Sequence, residues 1–206
     1  MTMMLDKVVG QAVSRETEGK LRAFSQLVMQ WTSRINLISK ATEDDIWHRH
    51  IIDSAQIFPH IPADASRVAD LGSGAGLPGL VIATLAAELR PSISVTLIES
   101  DLRKATFLRT AARELGLSIS VISQRIEQTD PLGADLITSR ALAPLVRLMP
   151  LAARHLAPGG SCLFLKGASW RDELAEVTQP VHCQASPSAT GDGAILHITI
   201  KDDLAP

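Results

Sequence analysis

The stretch Arg67-Val-Ala-Asp-Leu-Gly-Ser-Gly-Ala-Gly-Leu-Pro-Gly-Leu-Val-Ile82 decides the fold of this chain. It begins as a short apolar strand containing one acid, Asp70, continues as a glycine-rich turn and ends as an apolar helix. Glycine adopts positive φ and lets a ligand approach the backbone closely. The free N–H groups at a helix start favour a negatively charged or polar ligand group. The stretch therefore predicts a nucleotide-like cofactor at a strand–turn–helix junction.

Two kinds of cofactor fit this turn. Gly74, Gly76 and Gly79 match the G-x-G-x-x-G dinucleotide fingerprint, and Glu99 lies about 20 residues beyond it. The turn also reads as an acid before evenly spaced glycines, Asp70-x-Gly72-x-Gly74-x-Gly76. This second pattern resembles motif I of the class I S-adenosylmethionine-dependent methyltransferases, and the early acid favours it. A dinucleotide-dependent oxidoreductase is the alternative at this point.

Composition argues against several other classes of protein. The chain has 206 residues and a net charge of −2, so any nucleic acid would have to bind to a local basic patch. Its two cysteines, Cys162 and Cys183, are far apart, which argues against a disulfide framework or a zinc site. We predict no bound metal. Because no apolar run is long enough for a membrane span and no export signal is evident, we expect a cytoplasmic protein.

The chain divides into two regions, a helical extension over residues 1–62 and a methyltransferase-like domain over residues 63–206. In the extension, Ser14 is a candidate N-cap, and Thr42-x-x-Asp45 is a candidate capping box for a second helix. In the domain, repeated strand–helix units predict an α/β, Rossmann-like fold whose mostly parallel sheet ends in an antiparallel hairpin. The predicted strands are 68–71, 94–99, 118–123, 135–138, 161–165, 181–185 and 195–200, and the predicted helices of the domain end near residue 89 or cover 104–115 and 142–156.

Ligands of an open parallel sheet bind at the carboxyl ends of its strands. Glu99 ends the second predicted strand and can accept hydrogen bonds from ribose hydroxyls, although a capping carboxylate is the alternative. Arg140 follows the fourth strand and Lys166 the fifth, and two cations in one crevice suit a phosphate-bearing substrate, with solvated surface charges as the alternative. Cys162 lies inside a strand and is expected to be a small buried residue.

Seven pieces of the sequence occur in the order found in one known family. They are Asn36-Leu37, Arg49-His-Ile-Ile-Asp-Ser54, Asp70-Leu-Gly-Ser-Gly-Ala-Gly-Leu-Pro-Gly79, Leu97-Ile-Glu-Ser100, Phe107-Leu-Arg109, Ser139-Arg-Ala141 and Leu165-Lys-Gly167. On these pieces the chain resembles the glucose-inhibited division protein B family, the small-subunit ribosomal RNA guanine-N7 methyltransferases. The glycine loop is shared with many methyltransferases, whereas the pieces before and after it are more specific. The C-terminal hairpin adds no support.

The resemblance implies a class I enzyme with a seven-stranded sheet. It implies transfer of a methyl group from S-adenosyl-L-methionine to N7 of a guanine in 16S rRNA, in the decoding-region hairpin loop, where the family target is guanine 527. N7 has an in-plane lone pair and loses no proton, so positioning suffices and no general base is expected. Arg140 and Lys166 are the candidates for a catalytic contribution. The predicted cofactor-binding residues are Asp70, Gly72, Gly74, Gly76, Leu77, Glu99, Ile126, Glu127 and Arg140.

Basic side chains near the strand ends are predicted to hold the RNA, and the candidates are Arg34, Lys40, Arg49, His50, Arg140, Arg147 and Lys166. Asp53 lies three residues after His50 and could orient its imidazole, or the two could tie their helix to the domain. The expected partner is 16S rRNA or the 30S particle, without DNA or membrane, and the expected state is a monomer. The alternatives are a methyltransferase of another substrate and a non-catalytic ribosome assembly factor. Asp70 either reaches the methionine end of the cofactor or braces the glycine turn.

Overall fold

A computed structural model describes residues 2–201 of the chain, which form one seven-stranded sheet. The strands are β1 (Arg67–Leu71), β2 (Ser94–Ile98), β3 (Ser120–Ile122), β4 (Ala134–Arg140), β5 (Leu156–Lys166), β6 (Val181–Pro187) and β7 (Ala194–Ile200). Their order across the sheet is β3-β2-β1-β4-β5-β7-β6. The first five are parallel, and β7 pairs antiparallel with both β5 and β6. The predicted parallel sheet with a C-terminal antiparallel hairpin is confirmed.

Helices pack against the sheet, and further helices form the N-terminal extension. The α-helices are α1 (Thr2–Val9), α2 (Arg15–Ile35), α3 (Asp53–Ala55), α4 (Gly79–Leu89), α5 (Leu102–Glu114), α6 (Leu145–His155) and α7 (Trp170–Ala175). Short 3₁₀ turns occupy Lys40–Asp45, Phe58–His60 and Ile126–Gln128, and Trp47–Ile52 forms a π-helical segment. None of the helices within residues 2–201 has the length and apolar character of a membrane span.

The core lies on both faces of the sheet because side chains alternate along each strand. On β5, Leu163 and Leu165 join one apolar cluster, whereas Cys162 and Phe164 join the other. The first cluster also contains side chains of α2, α4 and α5, and the second contains those of α6. The expected burial of Cys162 is confirmed.

Helix α4 explains why the N-terminal extension packs where it does. Every residue from Gly79 to Ala86 is buried, so α4 is apolar on all sides and needs cover away from the sheet as well. Helix α2 supplies that cover, and Phe24 of α2 and Leu80 of α4 belong to the same cluster. The two predicted regions therefore share one core, and the boundary at residue 62 stays a prediction.

The N-terminal segment departs from its predicted secondary structure in two consecutive stretches. Ser14 caps α2 as predicted, because its hydroxyl accepts the N–H of Thr17. The predicted capping box at Thr42 is wrong: Thr42 lies inside a 3₁₀ turn, and its hydroxyl donates to the carbonyl of Ser39. The next segment, Trp47–Ile52, is π-helical rather than α-helical, which makes its turns wider than those of the expected helix.

Two element boundaries in the domain differ from the prediction by three residues or more. Helix α6 begins at Leu145 instead of residue 142, because the residue before Pro144 is sterically restricted from helical backbone. Strand β5 begins at Leu156 instead of residue 161, since the Pro158-Gly-Gly160 run is part of the strand rather than a turn before it. The first difference has a consequence for the site, because it leaves Ala141–Ala143 as a loop after β4.

Candidate functional site

The glycine turn after β1 is held in shape by hydrogen bonds to the neighbouring strands. Gly72, Gly74 and Gly76 all have positive φ, at 65°, 54° and 81°. Ser73 donates its backbone N–H to the carbonyl of Ile98 on β2, at 3.0 Å, and its hydroxyl to the carbonyl of Asp70, at 2.9 Å. Residues with side chains rarely adopt this backbone, so the turn needs its glycines.

Asp70 and Gly76 support this turn from inside the protein. Asp70 is fully buried, and its Oδ1 accepts a hydrogen bond of 2.9 Å from the Thr138 hydroxyl on β4. Burial raises the pKa of Asp70 to about 6, against the opposing effect of nearby hydrogen-bond donors. A Cβ on Gly76 would come within 2.5 Å of Leu80 on α4. Both residues were predicted to contact the cofactor, but neither lines the cavity of about 820 Å³ onto which the glycine turn opens, so the geometry favours a bracing role for each.

Glu99, at the end of β2, connects three pieces of the site. Its Oε2 accepts the N–H of Gly74 at 2.9 Å, and its Oε1 accepts the N–H of Asp101 at 2.7 Å. Asp101 in turn caps α5, so the carboxylate joins the glycine turn to the start of that helix. A carboxylate oxygen can accept more than one hydrogen bond, so Glu99 can still receive hydroxyl groups from a ligand.

The glycine turn opens onto a cavity of about 820 Å³, which we call the cofactor cavity. Its walls contain the predicted residues Gly72, Gly74, Leu77, Glu99, Ile126, Glu127 and Arg140. A Cβ placed on Gly74 would meet nothing closer than 3.7 Å, so this turn leaves room for a ligand against the backbone. Backbone donors, one carboxylate and apolar side chains in a cavity of this size fit a nucleoside with a charged amino-acid end.

A second cavity of about 530 Å³ adjoins the first, and Arg140 and Ala141 line both. We call it the substrate cavity. Among the predicted RNA contacts, Arg49, His50, Arg140 and Lys166 lie in its walls. Arg147 is exposed and lines the cofactor cavity, while Arg34 and Lys40 are exposed and line neither.

Arg140 is fixed between the two cavities by three acceptors from the N-terminal extension. Its guanidinium donates to the carbonyl of Arg49 at 3.2 Å, to Asp53 Oδ2 at 3.3 Å and to His50 Nδ1 at 2.9 Å. Burial lowers the pKa of this guanidinium, whereas the carboxylate of Asp53 opposes that shift. The side chain is 17% exposed, so this is a largely desolvated ion pair. Such a pair holds its geometry better than a solvated one.

His50 takes part as a neutral ring. Burial, followed by the positive charge of Arg140, lowers the pKa of His50 to about 4. A neutral ring can accept from Arg140 at Nδ1 while its Nε2–H donates to the Thr42 hydroxyl, 2.8 Å away. The hypothesis that Asp53 orients this imidazole directly is wrong. Both residues contact Arg140 instead, which agrees with the alternative that they tie the extension to the domain.

Lys166 is held inside the substrate cavity rather than extended into solvent. Its side chain is 8% exposed, and Nζ lies 2.6 Å from Glu173 Oε2 and 2.9 Å from the carbonyl of Ala143. Its partner Glu173, on α7, was not among the predicted site residues. No sequence pattern marks a pair seven residues apart, because the contact depends on the turn between β5 and α7.

The loop between β6 and β7 is the other part of the site that sequence reasoning missed. Residues 188–194 of this loop and the start of β7 line the substrate cavity, apart from Ala189. Thr190 donates to Asp53 Oδ1 at 2.6 Å, and Gln56 accepts the N–H of Ala189 at 2.6 Å. These contacts join residues more than 130 positions apart, which no local pattern can reveal.

Comparison with known proteins assigns the chain to a family. Ribosomal RNA small subunit methyltransferase G of Cereibacter sphaeroides is 51% identical over 186 residues, covering 89% of each chain. The protein of the same name from Paramagnetospirillum magneticum is 50% identical over 189 residues, covering 90% of each. The fold matches a SAM-dependent methyltransferase from Aquifex aeolicus, with a TM-score of 0.60 at 12% identity over 77% of this chain and 95% of that one. A family model described as rRNA small subunit methyltransferase G matches residues 17–190. The predicted family is thus confirmed, and the chain belongs to the rRNA small subunit methyltransferase G family.

Proposed function

We propose that this protein transfers a methyl group from S-adenosylmethionine to N7 of a guanine in 16S rRNA, at guanine 527 in the decoding-region hairpin loop. The cofactor, which family membership supports, supplies a methyl group on a positively charged sulfur. The observation that carries the proposal is the pair of adjoining cavities that share Arg140 and Ala141. One cavity fits the cofactor, and the other can hold a nucleotide beside it.

In the cofactor cavity, we assign the ribose hydroxyls to Glu99, which already holds the glycine turn in the required shape. Leu77 and Ile126 are buried apolar residues of the cavity wall and can contact a flat purine ring. Gly74 leaves its backbone accessible to the amino-acid end of the ligand, and Gly72 lines the same cavity beside Leu142. A preformed site of this kind spends little binding free energy on ordering its own residues.

The groups beside Arg140 agree with a reaction that needs no general base. Both ring nitrogens of His50 are engaged, and both oxygens of Asp53 accept hydrogen bonds. Neither group is therefore free to remove a proton from an incoming nucleophile. Guanine N7 attacks with its own lone pair, so the protein needs only to hold the base and the methyl group nearly in line.

We further propose that exposed basic side chains hold the RNA backbone, namely Arg49 and Arg147 at the two cavities together with Arg34 and Lys40, which line neither cavity. The net charge of −2 makes a local patch necessary for this binding. Phosphate contacts position an RNA without reading its sequence. We therefore expect methylation to weaken as salt is raised, by an amount that grows with the number of phosphates contacted.

The proposal is tested with purified protein, labelled S-adenosylmethionine and two substrates, free 16S rRNA and 30S particles from cells that lack this methylation. We expect label in 16S rRNA from at least one of the two substrates. Chemical strand cleavage specific for 7-methylguanine should then give one product, at guanine 527. The variant Gly74→Asp serves as the control, because a carboxylate in the cofactor cavity should remove all label.

The outcomes separate the alternatives. Label in RNA at a position other than a guanine N7 overturns the proposed reaction. Label in metabolites but never in RNA points to another substrate, and binding of 30S particles without transfer points to an assembly factor. Light scattering of the free protein tests the expected monomer, since a dimer would have twice the mass of the chain.

A further inference from the structure

We propose that the substrate cavity receives the target guanine itself and that the carboxylate of Glu173 recognises it, by accepting hydrogen bonds from N1–H and the 2-amino group. This inference rests on the proposed function and adds a specificity-determining residue to it. Enzymes that modify a base take it out of its stack and read its exposed edge in a pocket. The structure supplies such a pocket beside the cofactor cavity.

The order of the strands fixes which end of the substrate cavity faces the cofactor. The glycine turn follows β1, Arg140 ends β4, and Lys166 ends β5, and these three strands are neighbours in that order. Arg140 therefore lies nearer the glycine turn than the Lys166–Glu173 pair does. Guanine carries N7 and its N1–H/2-amino edge on opposite sides of the ring system. A guanine with N7 towards the cofactor turns its N1–H/2-amino edge towards Glu173.

Glu173 is held in place by its neighbours and still has one oxygen free. Its Oε2 accepts from Lys166 Nζ at 2.6 Å and from the N–H of Leu145 at 3.0 Å. Its Oε1 makes no hydrogen bond with any residue in the described part of the chain, and the side chain is 22% exposed at the cavity. The lysine holds the carboxylate in a fixed orientation, which recognition of a base requires.

The other two carboxylates of the cavity are less suited to this task. Asp53 uses Oδ2 for Arg140 and Oδ1 for Thr190 and Gln56. Asp192 is exposed on the loop between β6 and β7. Glu173 therefore combines partial burial, fixed orientation and a free acceptor. A carboxylate matches guanine because N1–H and the 2-amino group are adjacent donors, whereas adenine presents an acceptor at N1.

The same contact assists the reaction. The N7 lone pair forms the new N–C bond, the electrons of the C–S bond return to sulfur, and no proton moves. The unit positive charge thus passes from sulfur to the guanine ring. A carboxylate that already accepts from N1–H stabilises this developing charge without rearranging. Glu173 then both recognises the guanine base and stabilises the positive charge of the methylated product.

The test compares 30S particles whose target nucleotide is guanine with particles whose target nucleotide is inosine, which lacks only the 2-amino group. We expect the wild type to methylate guanine about tenfold or more faster than inosine, since a hydrogen bond to a charged group is lost. We expect Glu173→Gln to be slower on guanine and to lose most of this preference. Asp192→Asn, the matched control in the same cavity, should keep the full preference.

Cofactor affinity by calorimetry checks that each variant is folded, because the cofactor cavity does not include Glu173. If Glu173→Gln does not fold, Glu173→Asp replaces it, and a shortened carboxylate should lower the preference without removing it. An unchanged preference in the variant, or none in the wild type, overturns the reading role alone. If the wild type methylates neither particle, the proposed function fails and the reading role fails with it.

Discussion

Replacing Arg140 by lysine tests the reasoning about the site most directly, because the change keeps the positive charge and removes only the fork of donors. The guanidinium donates to Asp53, His50 and the carbonyl of Arg49 at one time. A lysine ammonium is a compact group at the end of a flexible stem and cannot serve these three directions together. We expect the lysine ammonium to keep one of these three contacts, the ion pair with Asp53.

The size of the effect follows from what is lost. A hydrogen bond between neutral partners contributes about 0.5–1.5 kcal/mol, and one to a charged partner about 1.5–3 kcal/mol. Both lost hydrogen bonds come from the charged guanidinium, so keeping only the Asp53 contact gives a destabilisation of about 3 kcal/mol at the lower end of that range. Urea unfolding of a domain this size has a slope of about 2 kcal/mol per molar. The midpoint should therefore fall by about 1.5 M.

The assay is urea unfolding followed by circular dichroism, with methylation of 30S particles measured alongside. Arg147→Lys is the matched control, since Arg147 lines the cofactor cavity but makes no side-chain hydrogen bond within residues 2–201. Its midpoint should move by less than about 0.3 M, as for most surface changes. We also expect Arg140→Lys to lose about a hundredfold in methylation rate, because small displacements in a positioned site cost about that much. Equal midpoints for the two variants would refute the assigned role of Arg140.

Three further predictions concern other parts of the site. Gly74→Asp should abolish binding of S-adenosylmethionine by calorimetry, because the carboxylate enters the cofactor cavity, and unchanged affinity would contradict the position of that cavity. Gly76→Ala should lower the free energy of unfolding by about 1–3 kcal/mol, since its Cβ meets Leu80 at positive φ, and a thermal midpoint equal to wild type would refute this. Because the pKa of His50 falls from 6.5 to about 4 on folding, the unfolded state binds more protons between these values. The contribution of His50 is therefore complete above pH 6.5 and declines towards pH 4, and His50→Gln should show a smaller loss of stability on acidification.

The glycine loop allowed the sheet to be predicted, because its pattern is local and its physical requirements are strict. A strand, a turn at positive φ and a buried helix follow one another within 16 residues, and the repeated strand–helix units continue the same logic. The pattern could not separate glycines that face a ligand from glycines that face the core. Gly74 and Gly76 look alike in sequence, yet only Gly74 lies in the cavity wall.

The substrate cavity was harder to predict because long-range contacts build it. Arg140 and Lys166 were recognisable from their positions at strand ends, but their partners Asp53 and Glu173 depend on how distant segments pack. Local propensity also misled at residues 42–52, where a 3₁₀ turn and a π-helical segment replace the expected α-helix. In this conformation His50 and Asp53 both contact Arg140, so tertiary contacts stabilise it against the local helical propensity.

The hydrogen bond between Asp53 and Thr190 joins two residues that are synthesised 137 positions apart, so the two cavities become complete at different stages of synthesis. The residues of the cofactor cavity lie between Leu37 and Leu151, whereas the substrate cavity also requires residues up to Ala194. During synthesis the ribosome therefore releases every residue of the cofactor cavity before the last wall of the substrate cavity. A nascent chain can therefore contain all residues of the cofactor cavity before Thr190 is available to donate to Asp53. The loop between β6 and β7 then completes the wall of the substrate cavity when Thr190 donates to Asp53.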